Sequence, residues 1–106
     1  MAQNPGAFVT TDVQIALPFD QLDWQGLTPR FRDTPGLLSK TWLSGVGNHG
    51  VGALYAFDTV ENARRFVLED VPALARELGV PFSVRLWDAA PTVEASKALA
   101  SPFFGD

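Results

Sequence analysis

Glycine and proline punctuate this chain at places that leave one economical order of elements between them: strand, helix, two strands joined by a short turn, helix, strand. Residues 8–17 alternate Val9, Thr11, Val13, Ile15 and Leu17 against Thr10, Asp12, Gln14 and Ala16, the period-2 pattern of a strand, and Pro18 ends it. Residues 37–44 and 51–57 read as two further strands. The glycine-rich connection Gly45-Val46-Gly47-Asn48-His49-Gly50 between them is short enough for an antiparallel hairpin. Residues 82–88 form the last strand.

The helices are less even. Residues 19–34 keep a roughly helical spacing through Phe19, Leu22, Leu27 and Phe31, but Gly26 and Pro29 interrupt it. Proline inside a helix removes an amide donor and clashes with the preceding turn, at ~3 kcal/mol. A break near residues 26–29 is therefore expected, with Thr28 capping a second short helix. The second helix has a clearer start, with Asp58 as cap and Glu61 reaching back in a capping box. Ala63, Phe66, Val67, Val71, Leu74, Ala75 and Leu78 then form its apolar stripe. Pro72 should kink or split that helix, and Gly79 should close it. A short helix over residues 91–100, capped by Thr92, leads to Pro102-Phe103-Phe104.

This order folds most simply into an α+β, ferredoxin-like βαββαβ domain: a four-stranded antiparallel sheet with both helices on one face. At 106 residues the chain fits a single domain, with a core over about residues 8–90 and a terminal helix and tail over 91–106. The strands are apolar on both sides, so the face opposite the helices needs a cover, and a second copy of the chain is the economical one. A sheet-to-sheet homodimer is the expected state, with Phe103-Phe104 reaching across to the other subunit.

Charge and composition narrow the function. A formal net charge of −4 argues against nucleic acid, because little would displace phosphate counterions. Apolar runs are too short to span a bilayer, and Met1-Ala2-Gln3-Asn4-Pro5-Gly6 has neither a basic region nor an apolar signal segment, so no membrane association is expected. Without cysteine there is no disulfide or thiolate chemistry, which fits a cytoplasmic location. A single histidine and no cysteine make a structural zinc site implausible, and no dinucleotide, Walker, HExxH or nucleophile-elbow motif is present. Eight Phe, three Trp and one Tyr are many for this length; they fill a small core or, alternatively, wall an aromatic pocket.

Candidate site residues follow from these aromatics and the few titratable groups near them. His49 normally titrates near neutrality and is either a general base at a pocket rim or a hydrogen-bonded hairpin residue. Lys40-x-Trp42 and Arg85-x-Trp87 set a cation beside a tryptophan on a predicted strand, which can hold an anionic aromatic substrate or simply snorkel to water. Tyr55 and Phe57 share one strand face, with Phe57 read as core and the Tyr55 hydroxyl needing a partner if buried. Trp24 is either a lid over a cavity or core.

Taken in order, Pro35-Gly36, Lys40-x-Trp42, Asn48-His49, Gly52-x-x-Tyr55-x-Phe57, Leu78-Gly79-Val80 and Arg85-x-Trp87-Asp88 resemble the YdhR-like monooxygenases of the dimeric α/β-barrel superfamily. That superfamily also holds antibiotic-biosynthesis monooxygenases and haem-degrading enzymes. The resemblance runs from about residue 35 to 100; the first strand and helix match in pattern only. It implies a homodimer in which paired sheets make a barrel and each subunit keeps a cavity between sheet and helices. It also implies oxidation of an anthrone-like phenol by O2 with no cofactor. The substrate, once deprotonated, supplies the electrons itself, so the enzyme must bind a flat apolar molecule, stabilise its anion and exclude water. On this reading His49, Tyr55 and Arg85 are the catalytic set, and Trp24, Lys40, Trp42, Phe57 and Trp87 bind the small hydrophobic aromatic substrate. No histidine lies on the second helix, which sets the chain apart from the haem-degrading members. Asn48-His49 falls in a hairpin loop, and the Asn, Trp and Tyr set of the quinone-forming members is not found at corresponding places. A cyclase, dehydratase or isomerase using the same anion stabilisation is the alternative, and a non-catalytic small-molecule-binding dimer is another.

Overall fold

The strands β1 (Ala7–Ala16), β2 (Leu37–Ser44), β3 (Gly50–Phe57) and β4 (Phe82–Asp88) form one antiparallel sheet in the order β2-β3-β1-β4. These and the following elements come from a computed structural model that describes residues 3–105. Period-2 alternation sorts the two faces. Val9 stands opposite Tyr55 on β3 and Leu86 on β4, and Thr11 stands opposite Ala53 and Val84; this set faces the helices. Phe8, Thr10, Arg85 and Trp87 share the other face, because Phe8 pairs with Trp87 and Thr10 with Arg85. The result is the ferredoxin-like α+β arrangement.

The first helix, α1 (Trp24–Arg32), begins where no break was expected. A single 3-10 turn, Phe19–Gln21, precedes it, and the chain re-enters at Asp23, whose carboxylate accepts from the Gly26 amide at 3.0 Å. A Cβ at residue 26 would collide with that carboxylate, so glycine here makes the cap possible. Thr28 does not start a second helix: its hydroxyl donates to the Trp24 carbonyl at 2.8 Å, inside a helix that runs through Pro29. The interruption therefore falls near Leu22 and Asp23, ahead of residues 26–29.

The long second helix, where a kink or a split was expected, does not split but is irregular just ahead of Pro72. α2 (Val60–Arg65) passes through one π turn, Phe66–Asp70, into α3 (Val71–Leu78). The Val71 amide reaches back five residues to the Phe66 carbonyl, and this widened turn absorbs the donor that Pro72 lacks. The cap is Thr59, not Asp58. Thr59 has the extended backbone of a cap, and its hydroxyl accepts from the Asn62 amide at 3.0 Å. Asp58 instead accepts from the Asn62 side chain at 2.9 Å, and no reciprocal bond from Glu61 accompanies it. Gly79, at φ 70°, closes α3 in the left-handed conformation.

Past β4 a 3-10 turn, Ala90–Thr92, leads into α4 (Val93–Ala98), shorter than the expected residues 91–100. Thr92 stands at its start but does not cap it, since its hydroxyl donates to the Ala89 carbonyl at 3.1 Å. The tail then folds back on its own sheet. Phe103 and Phe104 meet Phe8 edge-on at 5.0 and 6.1 Å between ring centroids, so the pair expected to cross to a second subunit packs within the chain.

The core lies between the sheet and the α2–α3 rod. Tyr55, Phe57, Phe66 and Val9 are fully buried, and Tyr55 and Phe66 sit 4.8 Å apart, centroid to centroid. Each such side chain contributes about 1.5–3 kcal/mol through the area it removes from water. Beyond the tail, the opposite sheet face remains open, with Trp87 44% exposed. Among the described residues no helix is long and apolar enough to cross a membrane.

Candidate active site

A register shift in β2 decides which side chains meet beneath α1. Leu37 pairs with Phe57, but Ser39 pairs with Ala56, so one extra residue is inserted at Leu38. Leu37 and Lys40 consequently both face the helices although their spacing is odd. Lys40 then stands opposite Tyr55 and Trp42 opposite Ala53.

The Lys40 ammonium ends among aromatic rings. Its Nζ lies 3.3 Å from the Phe31 centroid, 3.4 Å from Trp42 and 4.8 Å from Tyr55. Phe31 comes down from α1; the other two rise from the sheet. No ion pair engages Lys40 among the described residues. Burial pushes its pKa down from 10.5 to about 7, because an unpaired charge loses hydration there. The electron-rich ring faces pull the other way, so both the amine and the ammonium are accessible near neutrality. Burial also pushes the Tyr55 phenol up to about 12, with the Thr11 hydroxyl drawing it partly back. Tyr55 therefore stays a neutral donor across the physiological range.

These groups line a partly open cavity of about 110 Å³ between the sheet and the helices. Its wall is apolar, with Val13, Ile15, Phe31, Leu74 and Phe82 among the lining, and its polar side chains are Thr11, Lys40, Tyr55 and the Trp42 indole. A second hollow, a surface groove of about 420 Å³ between α1 and β2, is lined by Trp24, Thr28, Arg32 and Leu38. Phe31, Lys40 and Trp42 belong to both walls. Above the cavity, the Arg30 guanidinium forks onto Glu77 and ties α1 to α3, with Nη2 and Oε1 3.2 Å apart. The pair holds the Glu77 carboxyl below the usual carboxylate range and raises the Arg30 guanidinium.

The structure brings Lys40, Trp42 and Tyr55 together around the cavity and disperses the other candidates. Phe57 shares their sheet face but is fully buried against Phe66 and does not line the cavity. Trp24 lines the outer groove only, at the first position of α1. His49 does not reach a pocket rim. It sits exposed in the hairpin with φ 55°, and its carbonyl accepts from the Leu17 amide at 2.8 Å. Arg85 and Trp87 lie on the opposite face of the sheet, where the Arg85 guanidinium stacks 4.7 Å over the Trp87 ring. The Trp87 indole N–H donates to the Thr10 hydroxyl at 3.0 Å on that same side. A sheet separates them from Lys40, so Arg85 and Trp87 cannot share its cavity. Residues that sequence reasoning missed include Thr11 and Phe31. Thr11 carried a signal, as the one polar residue in the apolar half of its strand's alternation; Phe31 did not, because its position depends on how α1 settles.

Neither a protein-family model nor a curated protein matches the chain. Solved structures do. The fold is similar to that of a monooxygenase from the gene ActVA-Orf6 of Streptomyces coelicolor, determined in complex with the ligand nanaomycin D. That match has 18% identity and a TM-score of 0.60 over 79% of this chain and 87% of the other. It is also similar to SnoaB, a cofactor-independent oxygenase from Streptomyces nogalater, at 17% identity and a TM-score of 0.53 over 81% of this chain and 93% of SnoaB. At these identities the likeness is one of fold: the same sheet and helices.

Proposed function

We propose that this chain is the subunit of a cofactor-independent monooxygenase that acts on a planar, hydrophobic, polyketide-like aromatic through substrate deprotonation and direct reaction with O2. The observation that carries the reading is Lys40, an amine in no ion pair among the described residues, set among aromatic rings in a mostly apolar cavity. The fold it shares with the ActVA-Orf6 monooxygenase and with SnoaB supports the same reaction class.

The residues fit the chemistry step by step. A neutral Lys40 amine takes the acidic proton of a phenol or anthrone methylene, and the resulting ammonium stays beside the delocalised anion. Neutral Tyr55 donates to the oxygen on which that negative charge accumulates. The carbanion passes electrons to O2, a carbon–oxygen bond forms, and the peroxide loses water. One oxygen atom is left as the quinone carbonyl, and the two methylene hydrogens leave with the other. Phe31 and Trp42 hold the flat ring, and the apolar wall keeps water from competing.

Size favours a substrate that spans both hollows. A cavity of about 150 Å³ takes one benzene ring, so the 110 Å³ cavity cannot hold a fused system by itself. A bicyclic or tricyclic compound would extend into the α1–β2 groove, and Lys40 stands where the two walls meet. On this reading the chain is a YdhR-like member of the dimeric α/β-barrel superfamily. It works in the cytoplasm as a homodimer that covers the open sheet face around Trp87. Oxygen uptake with a panel of anthrones and dihydroquinones tests the reaction: uptake matched by quinone formation is expected. Turnover that persists under strict anaerobiosis would instead mark a cyclase, dehydratase or isomerase, and binding without turnover a non-catalytic dimer.

A further inference from the structure

Lys40 has chemistry beyond proton transfer. An amine that is neutral part of the time, in no ion pair among the described residues and wedged between the faces of Phe31 and Trp42, which stand at 85° to each other, is placed as a nucleophile for a carbonyl compound bound against either ring. Its surroundings offer few competing charges: Tyr55 faces it from β3, and Arg32 of α1 lines the groove that Lys40 shares. Nothing on α3 that lines the cavity is charged, since Leu74 and Leu78 are its contributions there. Phe31, Lys40 and Trp42 line the surface groove as well as the cavity, so the groove is the side from which a carbonyl compound would meet them.

We propose that Lys40 Nζ forms an imine with planar aromatic aldehydes and ketones bound at the junction of cavity and groove, giving this protein a covalent carbonyl-binding site. The amine lone pair attacks the carbonyl carbon and the carbonyl π bond breaks. The carbinolamine then loses its hydroxyl with a proton as water, leaving C=N. Tyr55, a neutral phenol in the same wall, is the acid placed to assist that departure. No oxidant or reductant enters the step, and it stands independently of the oxygenase reading.

Reductive trapping tests it on the intact wild-type protein. The chain is incubated anaerobically with 2-naphthaldehyde and sodium cyanoborohydride near pH 7.5, and the labelled peptides are mapped by mass spectrometry. The other lysine, Lys97 on α4, lines neither hollow and is exposed, so it is the internal control. Lys40 should be labelled at least tenfold faster than Lys97. That preference should disappear in denaturant and should be competed by unreactive naphthalene. Equal or faster labelling of Lys97 in the folded protein overturns the proposal. Because the trap needs no oxygen, labelling without oxygen uptake would retain this site while removing the oxygenase, and the reverse outcome would do the opposite.

Discussion

Lys40 and Tyr55 stand directly opposite each other across the β2–β3 pair, one with its pKa pulled down to about 7 and the other pushed up to about 12 by the same apolar surroundings. Two titratable groups driven apart by a shared environment are the arrangement expected of a base and an acid that work together. Both displacements also appear as stability, which makes the pair testable without a substrate.

Replacing Lys40 by methionine should raise stability and lower activity. For this lysine the folded value lies below the unfolded one, so between about pH 7 and 10.5 the unfolded chain binds more protons and stability rises with pH. The burden of the buried charge is full below about pH 7 and absent above about 10.5. Allowing for partial exposure, the Lys40→Met gain at pH 6 should be on the order of 2 kcal/mol, or roughly 10 °C in Tm for a domain of this size. Melting wild type and variant at pH 6, 8 and 10.5 checks this; the difference should shrink steadily with pH. Turnover on any accepted substrate should fall at least tenfold in the same variant.

Tyr55 has the opposite sign. Its folded value is raised, so it contributes stability that is fully present below about pH 10 and lost as pH rises through about 12. Tyr55→Phe removes that titration and leaves the ring in place against Phe66. The variant should fold within about 1 kcal/mol of wild type at pH 7 and should lose less stability than wild type between pH 10 and 12. Its turnover should fall while substrate affinity, set by the rings, changes little.

His49 and Arg85 should not matter to turnover. His49→Ala acts on an exposed hairpin side chain, and Arg85→Ala removes a stack on Trp87 across the sheet from the cavity, worth about 0.5 kcal/mol in so open a setting. Rates within about twofold of wild type are expected from both, in steady-state assays run beside Lys40→Met. A tenfold loss in Arg85→Ala would move the reacting centre to the open face of the sheet, and one in His49→Ala would move it to the β2–β3 hairpin.

The contrast between Lys40-x-Trp42 and Arg85-x-Trp87 shows what was legible in the sequence. Both carry a cation two residues before a tryptophan, yet they end on opposite faces. β4 held the distinguishing signal, since Phe82, Val84 and Leu86 alternate with Ser83, Arg85 and Trp87 and direct the latter set outward. β2 held none: the inserted residue at Leu38 exists only in its pairing with β3. The order of elements along the chain, by contrast, followed directly from alternation and glycine punctuation. Helix detail was legible in part. Proline at 29 and 72 announced trouble, but whether a helix breaks, runs on or widens into a π turn depends on what it packs against. Lys40, Trp42 and Tyr55 could be singled out from residue type alone, while the ring that completes their enclosure, Phe31, arrives by tertiary packing.

Gly52 gives a prediction about the scaffold beneath the site. A Cβ there would sit 2.6 Å from the Thr11 carbonyl oxygen, a backbone atom that cannot step aside without disturbing the β1–β3 pairing. Gly47, in the hairpin, presents the opposite situation: nothing lies within 4 Å of its missing Cβ, but its φ is +77°. Gly47→Ala should therefore cost about 1 kcal/mol from backbone conformation alone. Gly52→Ala, with no positive φ but a blocked Cβ, should cost more than about 2 kcal/mol from the collision. Urea unfolding of the two variants checks the order, and the midpoint should fall further for Gly52→Ala. If Gly47→Ala were the more damaging, the close approach of β3 to the Thr11 carbonyl would not be what fixes this wall of the cavity.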